Sequence, residues 1–190
     1  MDTTFTIIEG CRARDHRYQK ILYERYHAFA LKTVFRYIYN YEEAIEVCND
    51  GFVKFFLNID KFQCEHVADI DKLLSGWLKR ILVNTSIDLL RKKMLLPEIG
   101  GIPDYVWETR DKSAATDQKT IYKDLIKLVK KLPPSLRIVF NMHVVDGYTH
   151  FEIAETLRIP IGTSKSYLHR AKTLMQKYLN QEEALSQWSI

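Results

Sequence analysis

This chain has little of what builds sheet-rich, disulfide-stapled or membrane-spanning proteins. Its 190 residues hold 7 Gly and 5 Pro, too few to punctuate the many short strands of a sandwich or barrel. The 3 cysteines, Cys11, Cys48 and Cys64, are odd in number and scattered, with no CxxC spacing; that argues against a disulfide framework and fits a reducing, cytoplasmic setting. Cys64 and His66 have no second ligand pair nearby, so no metal is expected. No stretch reaches the roughly 20 apolar residues of a membrane span. The start, MDTTFTIIEGCRARDHR, lacks the basic-then-apolar order of a secretory signal. There is no glycine-rich phosphate loop, no HExxH, no GxSxG and no clustered carboxylates around a motif. No catalytic residue, cofactor or enzymatic activity is therefore expected.

What is present is a helical pattern. Hydrophobic residues make up 46% and charged residues 27%, enough to bury cores. Leu, Lys, Glu, Arg and Tyr recur at helical spacing, so the fold class expected is all-α. Apolar steps predict helices over Ile7–Ile38, Glu42–Asn58 and Leu74–Met94, with a loop from Asp60 to Leu73 that has room for a short helical turn. Pro97, Gly100, Gly101 and Pro103 then punctuate the chain. Helices follow over Thr120–Lys131, Leu136–Val145 (capped by Ser135), His150–Leu157 (capped by Thr149) and Ile161–Leu179. The division expected is a domain over 1–96, an acidic linker over 97–118, a second domain over 119–180 and a tail over 181–190.

Net charge is only +4, but it is unevenly placed. From Thr156 to Gln181 there is no acid, against Arg158, Lys165, Arg170, Lys172 and Lys177. Lys79, Arg80, Arg91, Lys92 and Lys93 form a second basic group, opposed by Asp88. Between them, Glu98, Asp104, Glu108, Asp111 and Asp117 face only Arg110 and Lys112. Two basic bodies around an acidic connector predict two contacts with a polyanion.

The stretch GYTHFEIAETLRIPIGTSKSYLHRAKTLMQK, Gly147 to Lys177, reads as two helices joined by the turn Arg158–Ile159–Pro160. On a wheel of 100° per residue, Ser164, Leu168, Ala171 and Met175 fall on one side. Lys165, Ser166, His169, Arg170 and Thr173 fall on the other. Arg forks onto guanine, Ser meets a base edge and Lys meets phosphate, as a helix in the major groove requires. A solvated basic face on an ordinary hairpin would need only the charges. It would not need the cap, the small Ala154 at a close crossing, or the tight turn. In GWLKRILVNTSIDLLRKK, Gly76 to Lys93, Asn84 and Asp88 are candidates for buried polar groups. Either Asn84 caps a loop and Asp88 pairs with Arg91 or Lys92, or Asn84 reads an extruded base beside aromatics such as Phe62; spacing leaves both open.

Taken together, IIEGCRARD, LYERY, YNYEEAIEVCNDGFVKFFLNIDKF, GWLKRILVNTSIDLLRKK, LPPSLRIVFNMHVVDGYTHFEIAETL and IGTSKSYLHRAK resemble the extracytoplasmic-function group of bacterial RNA polymerase sigma factors. The resemblance covers about Ile7 to Leu179, and its phrasing is most similar to the Bacteroidetes branch. It implies a region 2 domain and a region 4 helix-turn-helix domain joined by a flexible linker. It implies core RNA polymerase as partner, met at the β′ clamp helices and the β flap, together with promoter DNA. It leaves room for a membrane anti-sigma factor. Glu46, Asn49, Asp50, Phe52 and Val53 match the clamp-binding surface. Lys61, Phe62 and Asn84 match the capture of the −10 strand, and Lys79, Arg80, Arg91 and Lys92 its backbone contacts. Thr149, Lys165, Ser166, Tyr167, His169, Arg170 and Lys172 match the −35 reader. The chain departs from the family pattern in four places. Asn49–Asp50 stands for a usual Gln-Glu pair and is followed by Gly51. Arg158 replaces a common Gly, and Tyr167 a frequent Arg or Gln. The segment Cys64–Lys72 is longer than usual. The competing reading is a stand-alone helix-turn-helix regulator, which leaves the Gly76–Lys93 stretch unexplained.

Overall fold

The computed structural model describes residues 3–64, 66–93 and 128–187, with backbone alone from 181 onward. Among these residues every regular element is helical. The expected linker and most of the expected Thr120–Lys131 helix lie outside the described residues. The chain divides into two compact units, Met1–Lys92 and Lys93–Ile190.

Unit one is built from α1 (Thr4–Arg12), α2 (His16–Val34), α3 (Tyr41–Leu57) and α4 (Ile70–Lys92), with short 3-10 turns at Ile59–Lys61 and Val67–Asp69. Short polar side chains start three of the four helices. Thr3 accepts from the Thr6 N–H, Asp15 from Arg17 and Asn40 from Glu43. The single helix expected over Ile7–Ile38 is therefore two, because Asp15 serves as a cap. The chain reverses at Arg14, which sits at φ 61°, and the Asp15 N–H donates to the Gly10 carbonyl at 3.0 Å. Arg14 reaches across to α3, donating to the Phe56 carbonyl at 3.2 Å and to Asp60 at 3.1 Å. Gly10 allows the tight reversal: a Cβ there would lie 2.2 Å from Tyr18 Cγ. The core joins Ile7, Ile8, Leu22, Phe55, Leu74, Leu78, Leu82 and Ile87, all buried. α3 and α4 approach so closely that a Cβ on Gly51 would lie 2.5 Å from Leu82 Cδ2. The predicted helix-weakening residue is thus what lets the two helices meet. Part of the segment expected as loop, Ile70–Leu73, is the first turn of α4.

Unit two has helical residues at 128–131, then α5 (Pro134–Phe140), a π turn (Asn141–Val145), α6 (His150–Leu157) and α7 (Ile161–Gln187). α5 starts at Pro134, with Pro133 before it and no side-chain cap; Ser135, the expected cap, lies inside the helix. Proline's fixed φ is already helical and its missing N–H costs nothing at that position. The π turn ends at Asp146, and Gly147 (φ 78°) turns the Tyr148 N–H onto the Met142 carbonyl at 2.9 Å. α6 ends at Arg158, left-handed at φ 56°, where the Ile159 N–H closes on the Ala154 carbonyl at 3.0 Å. The last helix runs past its expected end at Leu179 to Gln187. Ser164, Leu168, Ala171 and Met175 are all buried, as the wheel predicts, against a core that includes Leu136, Val139, Met142 and Ile153.

Candidate nucleic-acid and polymerase interfaces

The opposite side of α7 stands in solvent. Lys165, Ser166, His169, Arg170, Lys172 and Thr173 are exposed, and Tyr167 at the flank is half-buried. Ser166 and Thr173 donate to the Thr163 and His169 carbonyls, at 3.0 and 3.1 Å, the back-bonding common for hydroxyls in helices. Thr149 is exposed and closes a capping box. Its hydroxyl accepts from the Glu152 N–H at 3.2 Å, while Glu152 Oε2 accepts from the Thr149 N–H at 2.8 Å and its hydroxyl at 2.9 Å. A phosphate reaching Thr149 would therefore have to displace a carboxylate.

One feature of unit two was missed by sequence reasoning. The rings of His143 and His150 stack in parallel, 4.5 Å apart and 13° from coplanar. His143 Nδ1 lies 2.8 Å from the Tyr148 carbonyl and His150 Nδ1 lies 2.9 Å from the buried Ser164 hydroxyl. Burial first, then repulsion between the two imidazoles in their charged forms and the positive charges of Lys165 and Lys172, hold the His150 pKa below its ordinary value. The pair is 7 residues apart in sequence. Only the π turn and the Gly147 reversal bring the rings together, and neither is visible as periodicity.

In unit one a stripe of α4 carries the exposed Leu73, Arg80, Asn84 and Asp88 and the half-buried Trp77 and Arg91 at three- and four-residue steps. Asn84 and Asp88, expected as buried polar groups, are both exposed. The buried polar groups of this helix are Thr85 and Ser86, which back-bond to the Ile81 and Leu82 carbonyls. Asp88 lies 3.1 Å from Arg91 and 3.7 Å from Lys54, so two cations already surround the one acid of the stripe. Lys79 is half-buried, and Lys61, Arg80 and Lys92 are exposed. Phe62 differs from expectation. At 6% exposure it is a core residue, its ring 5.6 Å from Trp77 and its carbonyl taken by Arg12. It cannot offer a free face for stacking. It does form one wall of a recess of about 270 Å³ that opens between α1 and the loop Phe62–Cys64, where Phe5, Glu9, Arg12 and Gln63 also face it. The contribution of α1 was not foreseen, because nothing in its sequence pattern points to the distant loop. Within that loop the half-buried Cys64 thiol donates to the His66 carbonyl at 3.0 Å.

On α3, Glu46, Asn49, Asp50 and Val53 are exposed, continued by Leu57. Asn49 Oδ1 accepts from the Tyr23 hydroxyl at 3.0 Å, which orients it. Phe52 does not belong to that surface. It is 2% exposed and packs 4.7 Å from the Tyr23 ring, supporting the surface from beneath. Val53 and Leu57, at 56% and 65% exposure, are the apolar centre of the patch.

Sigma-70 region 2 matches residues 22–95, and sigma-70 region 4 matches residues 122–175. Among similar proteins, the ECF RNA polymerase sigma factor SigW of Bacillus subtilis is 29% identical over 165 residues, covering 76% of this chain and 80% of that protein. The RNA polymerase sigma-H factor of Pseudomonas aeruginosa is 23% identical over 183 residues, covering 91% and 92%. The fold is shared with CnrH, solved in complex with the cytosolic domain of CnrY, at TM-score 0.51 and 17% identity over 95% of this chain and 99% of that one. With a region 2 body, a region 4 body and relatives along most of its length, the chain belongs to the extracytoplasmic-function group of the sigma-70 family, promoter-specific initiation factors rather than stand-alone regulators.

Proposed function

We propose that unit one docks on core RNA polymerase through the Glu46, Asn49, Asp50, Val53 and Leu57 surface of α3, with Phe52 as its support. The β′ clamp helices are the expected partner there and the β flap the expected partner of unit two. The α4 stripe and the recess by Phe62 take the opened −10 strand. Asn84 reads a base edge, and Lys61, Lys79, Arg80, Arg91 and Lys92 hold the backbone. α7 reads the −35 duplex with Lys165, Ser166, His169 and Arg170, while Tyr167 and Lys172 flank it and Thr149 sits at the edge of the contact. The observation that carries this reading is the acid-free, exposed face of α7 between Ile161 and Asn180 over a fully packed inner face.

No chemistry is asked of the chain itself; polymerase supplies catalysis, and binding the open strand lowers the cost of melting. The acidic stretch 97–118 is read as a linker that follows surfaces which otherwise carry nucleic acid. The place of action is the cytoplasm, where polymerase and promoter are. As CnrH is seen with the cytosolic domain of CnrY, a membrane anti-sigma factor with such a domain is proposed as regulator here. The test is transcription from a library of promoter fragments by core polymerase with and without the chain. Defined new start sites are expected, and failure of the chain to bind core would sink the reading.

A further inference from the structure

The surface assigned to the −35 duplex stops short of the stacked histidines, yet they stand beside it. His150 begins α6, His143 ends in the π turn, and Lys165 and Lys172 on α7 are near enough to act on His150 electrostatically. Both rings are partly exposed. Each is anchored through Nδ1, His143 to a carbonyl that can only accept and His150 to the Ser164 hydroxyl. Each Nε2 has no partner among the described residues. Protonation at His143 Nε2 creates an outward N–H donor, and at His150 the serine turns to accept whenever both ring nitrogens carry hydrogen. Two imidazoles stacked at 4.5 Å do not both ionise cheaply, so the pair has room for one proton.

On the surrounding elements the cations are Arg137 on α5, Arg158 at the end of α6 and Lys165, Arg170, Lys172 and Lys177 on α7, where His169 is a further titratable ring. The acids are Asp146 after the π turn and Glu152 and Glu155 on α6. Of these, the groups that act on His150 are all positive, and Glu152 is turned to Thr149. Burial and those cations disfavour the charged form of His150, and an anion at the ring edge relieves both. A phosphate diester oxygen is that anion: it accepts from Nε2–H and offsets the repulsion from both lysines.

We propose that the His143–His150 stack, flanked by Lys165 and Lys172, is a DNA-phosphate site of unit two that takes up one proton as DNA binds. This rests on the reading of unit two as a duplex binder. It adds a sequence-independent contact whose strength depends on pH, beside the base-reading face.

The test uses the full chain, alone and assembled with core polymerase, titrated with a short mixed-sequence DNA duplex between about pH 6 and about pH 8. Affinity should weaken as pH rises, by up to about tenfold per pH unit where the proton is exchanged. Calorimetry of the unaltered chain in two buffers of different ionisation enthalpy should show uptake of about one proton. His150→Phe keeps a ring for stacking and should abolish the pH dependence. It should also reduce the slope of log Kd against log salt by about one. A Kd that does not change with pH overturns the proposal. So does proton uptake that survives in His150→Phe and disappears in His169→Gln. Should His150→Phe fail to fold, the calorimetry and the His169→Gln arm still decide. Absence of duplex binding at every pH, with polymerase present, would sink the duplex-binding reading and this site with it, whereas pH-independent binding removes this site alone.

Discussion

Two residues that break local rules mark where unit one and unit two are tightly specified. Arg158 is held left-handed at φ 56°, a conformation that costs an L-residue roughly 1–2 kcal/mol. Arg158→Gly should therefore raise the stability of unit two by up to about 1 kcal/mol, less the glycine's own entropy, as measured by urea unfolding. In unit one, two helical glycines should respond in opposite directions to the same change. Gly76 has nothing within 4 Å of an added Cβ, so Gly76→Ala should gain about 1 kcal/mol of helix propensity. Gly51→Ala would press on the fully buried Leu82 and should lose about 1–3 kcal/mol from overpacking, outweighing that gain. Thermal unfolding of the two variants side by side checks the sign. Thr149 as a cap was legible because capping is local chemistry written in neighbouring residues. Phe52 and Phe62 were not, because an aromatic on a binding helix and an aromatic in a core look alike until Tyr23 and Trp77 are in place.

At the scale of the element, α7 was read correctly face by face, since its stripe repeats over several turns and nothing interrupts it. The hairpin of α1 and α2 was read as one helix because its apolar steps continue in phase across the break. What separates them is a reversal at Arg14, anchored on Phe56 and Asp60 more than 40 residues away, and the polar cap Asp15 that starts α2. The π turn was invisible for a similar reason: its effect is to stack two histidines, not to change a period. A pH consequence belongs here. His150 has a folded pKa below its unfolded value near 6.5. Its contribution to stability is therefore complete above that value and is lost as pH falls through the lower folded pKa. Denaturant titrations should show unit two weakening on acidification across that window, and His150→Phe should flatten the trend.

For the molecule as a whole, the modest net charge of +4 conceals its working arrangement. An acid-free run of cations lies along α7 as far as Lys177 and another basic group at the end of α4, while the exposed face of α3 offers Glu46, Asp50 and an apolar centre. Charge reversal at Glu46 and Asp50, or Val53→Glu, should cut binding to core polymerase by at least tenfold while leaving helicity unchanged by circular dichroism; unaltered binding would remove α3 from the interface. Lys165→Ala should weaken promoter binding evenly across sequences, and Arg170→Ala should cost about 1–3 kcal/mol chiefly at one base pair of the −35 site. The two-body plan was legible from charge, punctuation and helical period together. The recess beside Phe62 was not, because it joins α1 to a loop some 50 residues later, and sequence order carries no sign of that meeting.

The three thiols are unequal in a way that has practical value. Burial pushes Cys11 and Cys48 up to about 11, with Asp15 adding to the effect at Cys11. Both therefore remain protonated and shielded at neutral pH and react slowly with electrophiles. Cys64, half-exposed on the rim of the recess, is the one thiol an alkylating dye should reach quickly. A single maleimide fluorophore on the unmutated chain would thus sit at the mouth of the proposed strand-capture site, ready to report DNA opening in real time.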